Sequence, residues 1–199
     1  MRLMAPVTYD SATALVIVDV QNDFADPSGN LYVKDGEEVV PVINEEIERA
    51  KEAGAQLAFT ADWHPESTPH FAKDGGIWPV HCVGGTWGAE FHPDLVVEGP
   101  VVRKGTNGED GYSGFTMQDP VTKETMPTDL GEILGAAGVK RIVVVGLATD
   151  YCVKATALDG LAAGFAVELL VEAVRSVDLT EGDGERALAE IADAGGVLV

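Results

Sequence analysis

Positive charge is what this chain has least of. Its 199 residues carry 13 Lys and Arg against 33 Asp and Glu, a formal net charge of −20 at neutral pH. Such a surface repels phosphate backbones and anionic lipid, which argues against nucleic acid or membrane as partners. Cysteine is scarce as well. Cys82 and Cys152 are too few for the disulfide framework of a secreted domain of this length. Apolar runs are all short, and none approaches the roughly 20 residues of a membrane span. The opening MRLMAPVTYDS has neither the long apolar core nor the small-residue cleavage site of a leader, so the expected location is cytoplasmic.

What is present is an ordinary globular composition, 46% hydrophobic and 23% charged. The length fits one domain over residues 1–199. Four apolar runs, ALVIVDV (14–20), AQLAFT (55–60), RIVVVG (141–146) and FAVELLV (165–171), are continuous rather than alternating. That pattern suits strands buried on both faces of a parallel sheet. GPVVRKG and the C-terminal GGVLV add a fifth and a sixth. Between them, GEEVVPVINEEIERAKEAG, TDLGEILGAAG, TDYCVKATALDGLAAG and TEGDGERALAEIADAG read as helices ending at glycine. Strands alternating with helices predict an α/β fold, a three-layer α/β/α sandwich with right-handed crossovers.

Residues 61–100 break this rhythm. They contain no convincing helix, yet they hold all three tryptophans and all four histidines of the chain. A long irregular segment inside a compact domain is usually functional or disordered, and Trp63, Trp78 and Trp87 argue for order. Asp62, His64 and His70 in FTADWHPESTPHF, with His81 from WPVHC, form a donor set suited to one divalent ion: zinc, iron or manganese. His92 falls outside the cluster and is read as structural, as is Cys82.

In open parallel sheets, ligands bind beyond the carboxyl ends of the strands. Asp19, Asp62, Lys104 and Cys152 all fall at such ends, so they are expected to share a crevice. Cys152 stands where a strand turns into a helix, and a thiol facing the free N–H groups of a helix start has its pKa lowered. A free cysteine is also a common buried hydrophobe. Asp19 could serve as a proton acceptor or cap a loop, and Lys104 could be its cation or a solvated lysine. The residues alone leave each pair of alternatives open.

Taken together, LVIVDVQNDF, DWHPESTPHF, WPVHCVGGTWGAEFHP, VVRKG, GYSGF and VVVGLATDYCVKATALDG resemble the nicotinamidase/pyrazinamidase family of isochorismatase-like cysteine hydrolases. The resemblance runs from about residue 13 to the C-terminus. It implies a Rossmann-like isochorismatase-type fold with a six-stranded parallel sheet in the order 3-2-1-4-5-6. It matches Asp19, Lys104 and Cys152 to a catalytic triad, and Asp62, His64 and His81 to metal ligands, with His70 at a position that varies among relatives. A cis peptide before Ala148 is implied, with an oxyanion hole formed by the N–H groups of Ala148 and Cys152. Phe24, Trp78 and Tyr112 fall where relatives enclose an aromatic ring; Leu147 and Tyr151 are assigned to the same substrate pocket, Tyr151 at a position that differs between relatives.

The activity so implied is hydrolysis of nicotinamide, and also pyrazinamide, to the acid and ammonia through a cysteine thioester, a step of NAD salvage. In that chemistry the metal anchors the pyridine nitrogen and the sulfur attacks. The alternatives are an amidase of the same superfamily acting on another small amide, and a hydrolase that uses metal-bound hydroxide with Cys152 merely buried. A non-catalytic metal-binding protein on the same fold is a third. The oligomeric state stays open, a homo-oligomer included.

Overall fold

The computed structural model describes residues 6–199. The reading of the N-terminal stretch as lacking a leader therefore rests partly on residues 1–5, which lie outside the described residues. The central strand, β1 (Thr13–Val18), is buried along its whole length. It pairs in parallel with β2 (Gln56–Asp62) on one side and with β6 (Arg141–Leu147) on the other. Burial on both faces is why its sequence is an unbroken apolar run rather than an alternation. Outward from this pair lie β3 (Val101–Lys104) at one edge, then β7 (Ala166–Arg175) and β8 (Val197–Leu198) at the other. All neighbours are parallel, in the order β3-β2-β1-β6-β7-β8.

Two apolar layers sandwich the sheet. On one face Leu15, Ile17, Phe59, Val143 and Val145 meet Val39, Val40, Ile43, Ile47 and Ala50 of α2 (Val39–Glu52). On the other, Ala14, Val16, Ile142 and Val144 meet α3 (Leu130–Ala136), α4 (Lys154–Ala162) and α5 (Asp183–Asp193) through Leu130, Leu134, Ala157 and Ile191. Each Val, Leu or Ile buried in this way contributes about 1.5–3 kcal/mol relative to exposure. The expected three-layer arrangement is thus present. Pro41 lies in the first turn of α2, where its missing N–H costs nothing.

A short antiparallel hairpin, β4 (Thr116–Gln118) with β5 (Thr125–Pro127), was not expected. Its strands of three residues are too short and too polar to show a period. With the hairpin set aside, the sheet order is the anticipated 3-2-1-4-5-6. A further short helix, α1 (Asn22–Ala25), follows β1 after three residues, where the sequence pattern assigned no element. No helix among the described residues is long and apolar enough to cross a membrane.

The carboxyl ends of the central strands are shaped by two special backbone positions. Asp19 closes β1 with φ 50°, and Gly146 near the end of β6 has φ 113°. A Cβ on Gly146 would come within 2.1 Å of the Val18 carbonyl oxygen. Gly146→Ala is therefore expected to destabilise the protein by about 3 kcal/mol or more, from strain and overpacking together. The midpoint of chemical denaturation reads this directly, and an unshifted midpoint would contradict it.

Candidate active site

Four of the strand-end residues do converge. Asp62 and Lys104 are the last residues of β2 and β3 and lie opposite each other in the register. Asp19 follows β1, and Cys152 lies beyond β6 in a five-residue π-helical turn, Thr149–Val153, that leads into α4. Sγ of Cys152 and carboxylate oxygens of Asp19 and Asp62 are all within 4.8 Å of one another. Lys104, completely buried, sits between the carboxylates, with Nζ 2.7 Å from Asp19 Oδ2 and 3.0 Å from Asp62 Oδ1. It also donates to the Gly111 carbonyl at 2.6 Å. A solvated surface lysine is excluded.

The electrostatics follow from this burial. Desolvation would push the Lys104 ammonium down, but Asp19 and Asp62 override it and hold its pKa well above the lysine range. Burial raises the Asp19 carboxyl above its ordinary value, against the pull of Lys104 and with the help of Asp62. Asp62 is pushed the other way: the Lys104 charge and the neighbouring imidazoles outweigh its desolvation and hold it below the carboxylate range. Thr60 donates its hydroxyl to Asp19 Oδ1 at 2.6 Å.

Cys152 corrects one expectation. The sequence argument lowers its pKa through the helix start, whereas in the structure burial pushes the thiol well above its ordinary value. Asp19 and Asp62 add to the rise, and the pull of Lys104 does not cancel it. The resting sulfur is protonated, with the Asp19 carboxylate close by. Cys82 is also buried and its thiol is raised by desolvation, in keeping with a packing role.

Next to this group stands the histidine cluster. His64, His70 and His81 each offer a ring nitrogen within 4.8 Å of the others, and all three are buried. Asp62 Oδ2 is 3.7 Å from His64 Nε2 and 3.9 Å from His81 Nε2. The edges of a tetrahedron with zinc–nitrogen bonds are about 3.4 Å, so a small contraction would bring these donors to bonding distance. Both ring nitrogens of His64 are buried without a hydrogen-bond partner among the described residues, whereas Asp62 Oδ1 is taken up by the Lys104 ammonium at 3.0 Å. Buried polar atoms are otherwise nearly always paired, so these orphans mark a place for a further ligand. His81 Nδ1 is committed to the Pro79 carbonyl at 2.8 Å, leaving Nε2 for the cluster. Burial lowers His70, and lowers His81 to about 4, so both rings are neutral and able to coordinate near pH 7. The residues present fit a divalent ion. His92 lies apart, its Nδ1 accepting from the Asp94 N–H at 3.3 Å.

A cleft of about 460 Å³, its mouth included, joins the two groups. Phe24, Trp78, Tyr112, Leu147 and Tyr151 all line it, together with His64, His70, His81, Ala148 and Cys152. Trp78 donates its indole N–H to the Tyr112 hydroxyl at 2.8 Å and meets the Tyr151 ring edge-on at 4.8 Å. The peptide bond between Leu147 and Ala148 is cis.

Several contributors were not singled out from sequence. Leu31, Val33 and Val177 complete the apolar wall. Gln21 holds the Asp62 backbone at both its N–H and its carbonyl, at 2.8 and 2.7 Å. Asp150 accepts from the N–H groups of Val177 and Asp178 and so ties the segment just after β7 to the turn that carries Cys152. Gln21 stands in DVQNDF and Asp150 in ATDYC, yet an amide or a carboxylate shows no partner until the chain is folded.

The Isochorismatase domain model matches residues 13–199. The chain is 34% identical to the nicotinamidase of Escherichia coli over 93% of each chain. Among solved structures, a pyrazinamidase of Pyrococcus horikoshii in complex with zinc superposes with a TM-score of 0.84 at 44% identity, covering 94% of this chain and 98% of that one. PnC1 from L. infantum in complex with nicotinate gives a TM-score of 0.88 at 37% identity, covering 97% and 95%. The chain therefore belongs to the isochorismatase family, and within it to the nicotinamidase/pyrazinamidase enzymes.

Proposed function

We propose that the protein hydrolyses nicotinamide, and pyrazinamide, to the carboxylic acid and ammonia, working as one domain in cytoplasmic NAD salvage. The observation that carries this is the meeting of two sites in one aromatic cleft. A buried Asp19–Lys104–Cys152 group faces a three-histidine cluster backed by Asp62. The nicotinate complex and the zinc complex of the relatives support the same assignment.

The flat apolar walls formed by Phe24, Trp78, Tyr112 and Tyr151 admit an aromatic ring and exclude bulk water. Asp62, His64, His70 and His81 would hold the divalent ion (zinc, iron or manganese), which when bound supplies a Lewis-acid anchor for a ring nitrogen. Orientation of this kind turns attack on the carboxamide into an effectively unimolecular step.

Asp19, whose raised pKa makes it a stronger base than a free aspartate, takes the proton from Cys152 Sγ. Lys104 stays charged throughout and offsets the negative charge that remains. The sulfur adds to the amide carbon, and the carbonyl oxygen becomes an oxyanion received by the N–H groups of Ala148 and Cys152. Each such donor is worth about 3–4 kcal/mol in comparable sites. Asp19 then gives its proton to the leaving nitrogen, the C–N bond breaks, and ammonia departs from a thioester. Asp19 next takes a proton from water; the hydroxide displaces sulfur, and the thiol is restored.

Ammonia release tests the assignment. Purified protein supplied separately with zinc, iron and manganese is expected to liberate ammonia from nicotinamide and pyrazinamide, and far less from benzamide, which lacks the ring nitrogen. No ammonia from nicotinamide with any of the three ions would reject it.

A further inference from the structure

The hairpin that interrupts the α/β alternation has a place in the site. Its strand β4 holds Asp110 by a reciprocal backbone pair, Asp110 N–H to the Gln118 carbonyl and Gln118 N–H to the Asp110 carbonyl, both 2.8 Å. The strand is itself fixed to α4, where Thr116 donates its hydroxyl to Asp159 at 2.6 Å. From this anchored backbone the Asp110 carboxylate reaches across to His70, with Oδ1 2.9 Å from Nδ1. The next residue, Gly111, offers its carbonyl to Lys104, and the one after it, Tyr112, lines the cleft. A Cβ at position 111 would lie 2.8 Å from that of Lys104, so this segment is packed tightly onto the site.

We propose that Asp110 is a positioning residue that makes His70 a metal ligand. A carboxylate oxygen accepts, so His70 Nδ1 must carry the proton, and Nε2 is left with a lone pair. The ring stacks on His64 at 4.9 Å and lies 5.4 Å from His81, which keeps that nitrogen among the cluster. His70 needs such a partner more than the other two. His81 is already oriented by the Pro79 carbonyl at 2.8 Å, and His64 is wedged between the neighbouring rings. His70 sits on the proline-flanked loop, and its only side-chain hydrogen bond among the described residues is the one to Asp110. A carboxylate behind a ligating imidazole fixes its tautomer and raises its basicity, and losing one typically weakens metal binding about 10- to 100-fold.

This inference rests on the histidine cluster being a metal site, so its test reads metal affinity rather than turnover. Zinc dissociation constants are measured by competition with a chromophoric chelator for the wild type, Asp110→Ala, Asp110→Asn, His70→Ala and the double variant His70→Ala/Asp110→Ala. Asp110→Ala is expected to weaken zinc binding about 10- to 100-fold. Asp110→Asn, whose amide oxygen still accepts from Nδ1–H, is expected to recover most of that loss. With His70 already replaced, removing Asp110 is expected to change nothing more. The optical spectrum of the cobalt-loaded protein should show the same grouping, with Asp110→Ala resembling His70→Ala. If Asp110→Ala does not fold, Asp110→Leu, which keeps the shape but cannot accept a hydrogen bond, replaces it. Wild-type affinity in the alanine or leucine variant would overturn the proposal, as would an equal loss in the His70→Ala background. A wild-type protein that binds neither zinc nor cobalt would overturn both this proposal and the metal site on which it rests.

Discussion

Replacing Cys152 with alanine is expected to abolish nicotinamide turnover, with a loss on the order of 10⁴- to 10⁶-fold, while zinc affinity is unchanged. The sulfur is proposed to form the bond that becomes the thioester, and among the described residues lining the cleft there is no second thiol and no serine or threonine hydroxyl to replace it. The histidine cluster does not depend on the thiol, so metal binding and the fold should persist. A hydrolase using metal-held hydroxide has the opposite signature: loss of the thiol leaves turnover within a few-fold of wild type. Measuring kcat and zinc affinity on the same preparation separates the two.

Lys104→Met is expected to be the most destabilising single change at the site. The ammonium is fully buried between Asp19 and Asp62 and bonds the Gly111 carbonyl as well. Removing one partner of a buried ion pair costs about 3–5 kcal/mol, because the charge left behind keeps its desolvation penalty. Set against a total stability of about 5–15 kcal/mol for a typical domain, that is a large fraction. Turnover per folded molecule should fall at least about 100-fold, since the cation also balances the negative charge that grows during attack. The double variant Lys104→Met/Asp19→Asn removes one of the stranded carboxylates. It is expected to regain part of the stability and none of the activity. Denaturation curves and activity normalised to folded protein check both effects; a Lys104→Met protein as stable as wild type would contradict them.

The sheet was legible because its strands are buried on both faces, and nothing but continuous apolar sequence satisfies that position. Asp19, Lys104 and Cys152 stood out because charged and thiol groups at the ends of such strands have few reasons to be there. The histidines stood out because a chain with four placed three of them on one loop. Other features have no local signature. The β4–β5 hairpin is too short for a period, and Asp110 is one of 33 acidic residues until the hairpin carries it to His70. The resting state of Cys152 went the other way from expectation for a related reason. Position at a helix start is written in sequence, whereas depth of burial and the distance to Asp19 and Asp62 are set by the whole fold.

The most direct measurement is a crystal structure of the zinc-loaded protein with pyridine-3-carbaldehyde, whose carbonyl accepts a nucleophile but has no leaving group. The expected result is continuous density between Cys152 Sγ and the former carbonyl carbon, with the new oxygen facing the N–H groups of Ala148 and Cys152. Density joining that carbon to a solvent oxygen within the histidine cluster, with Sγ out of bonding range, would contradict the sulfur's role.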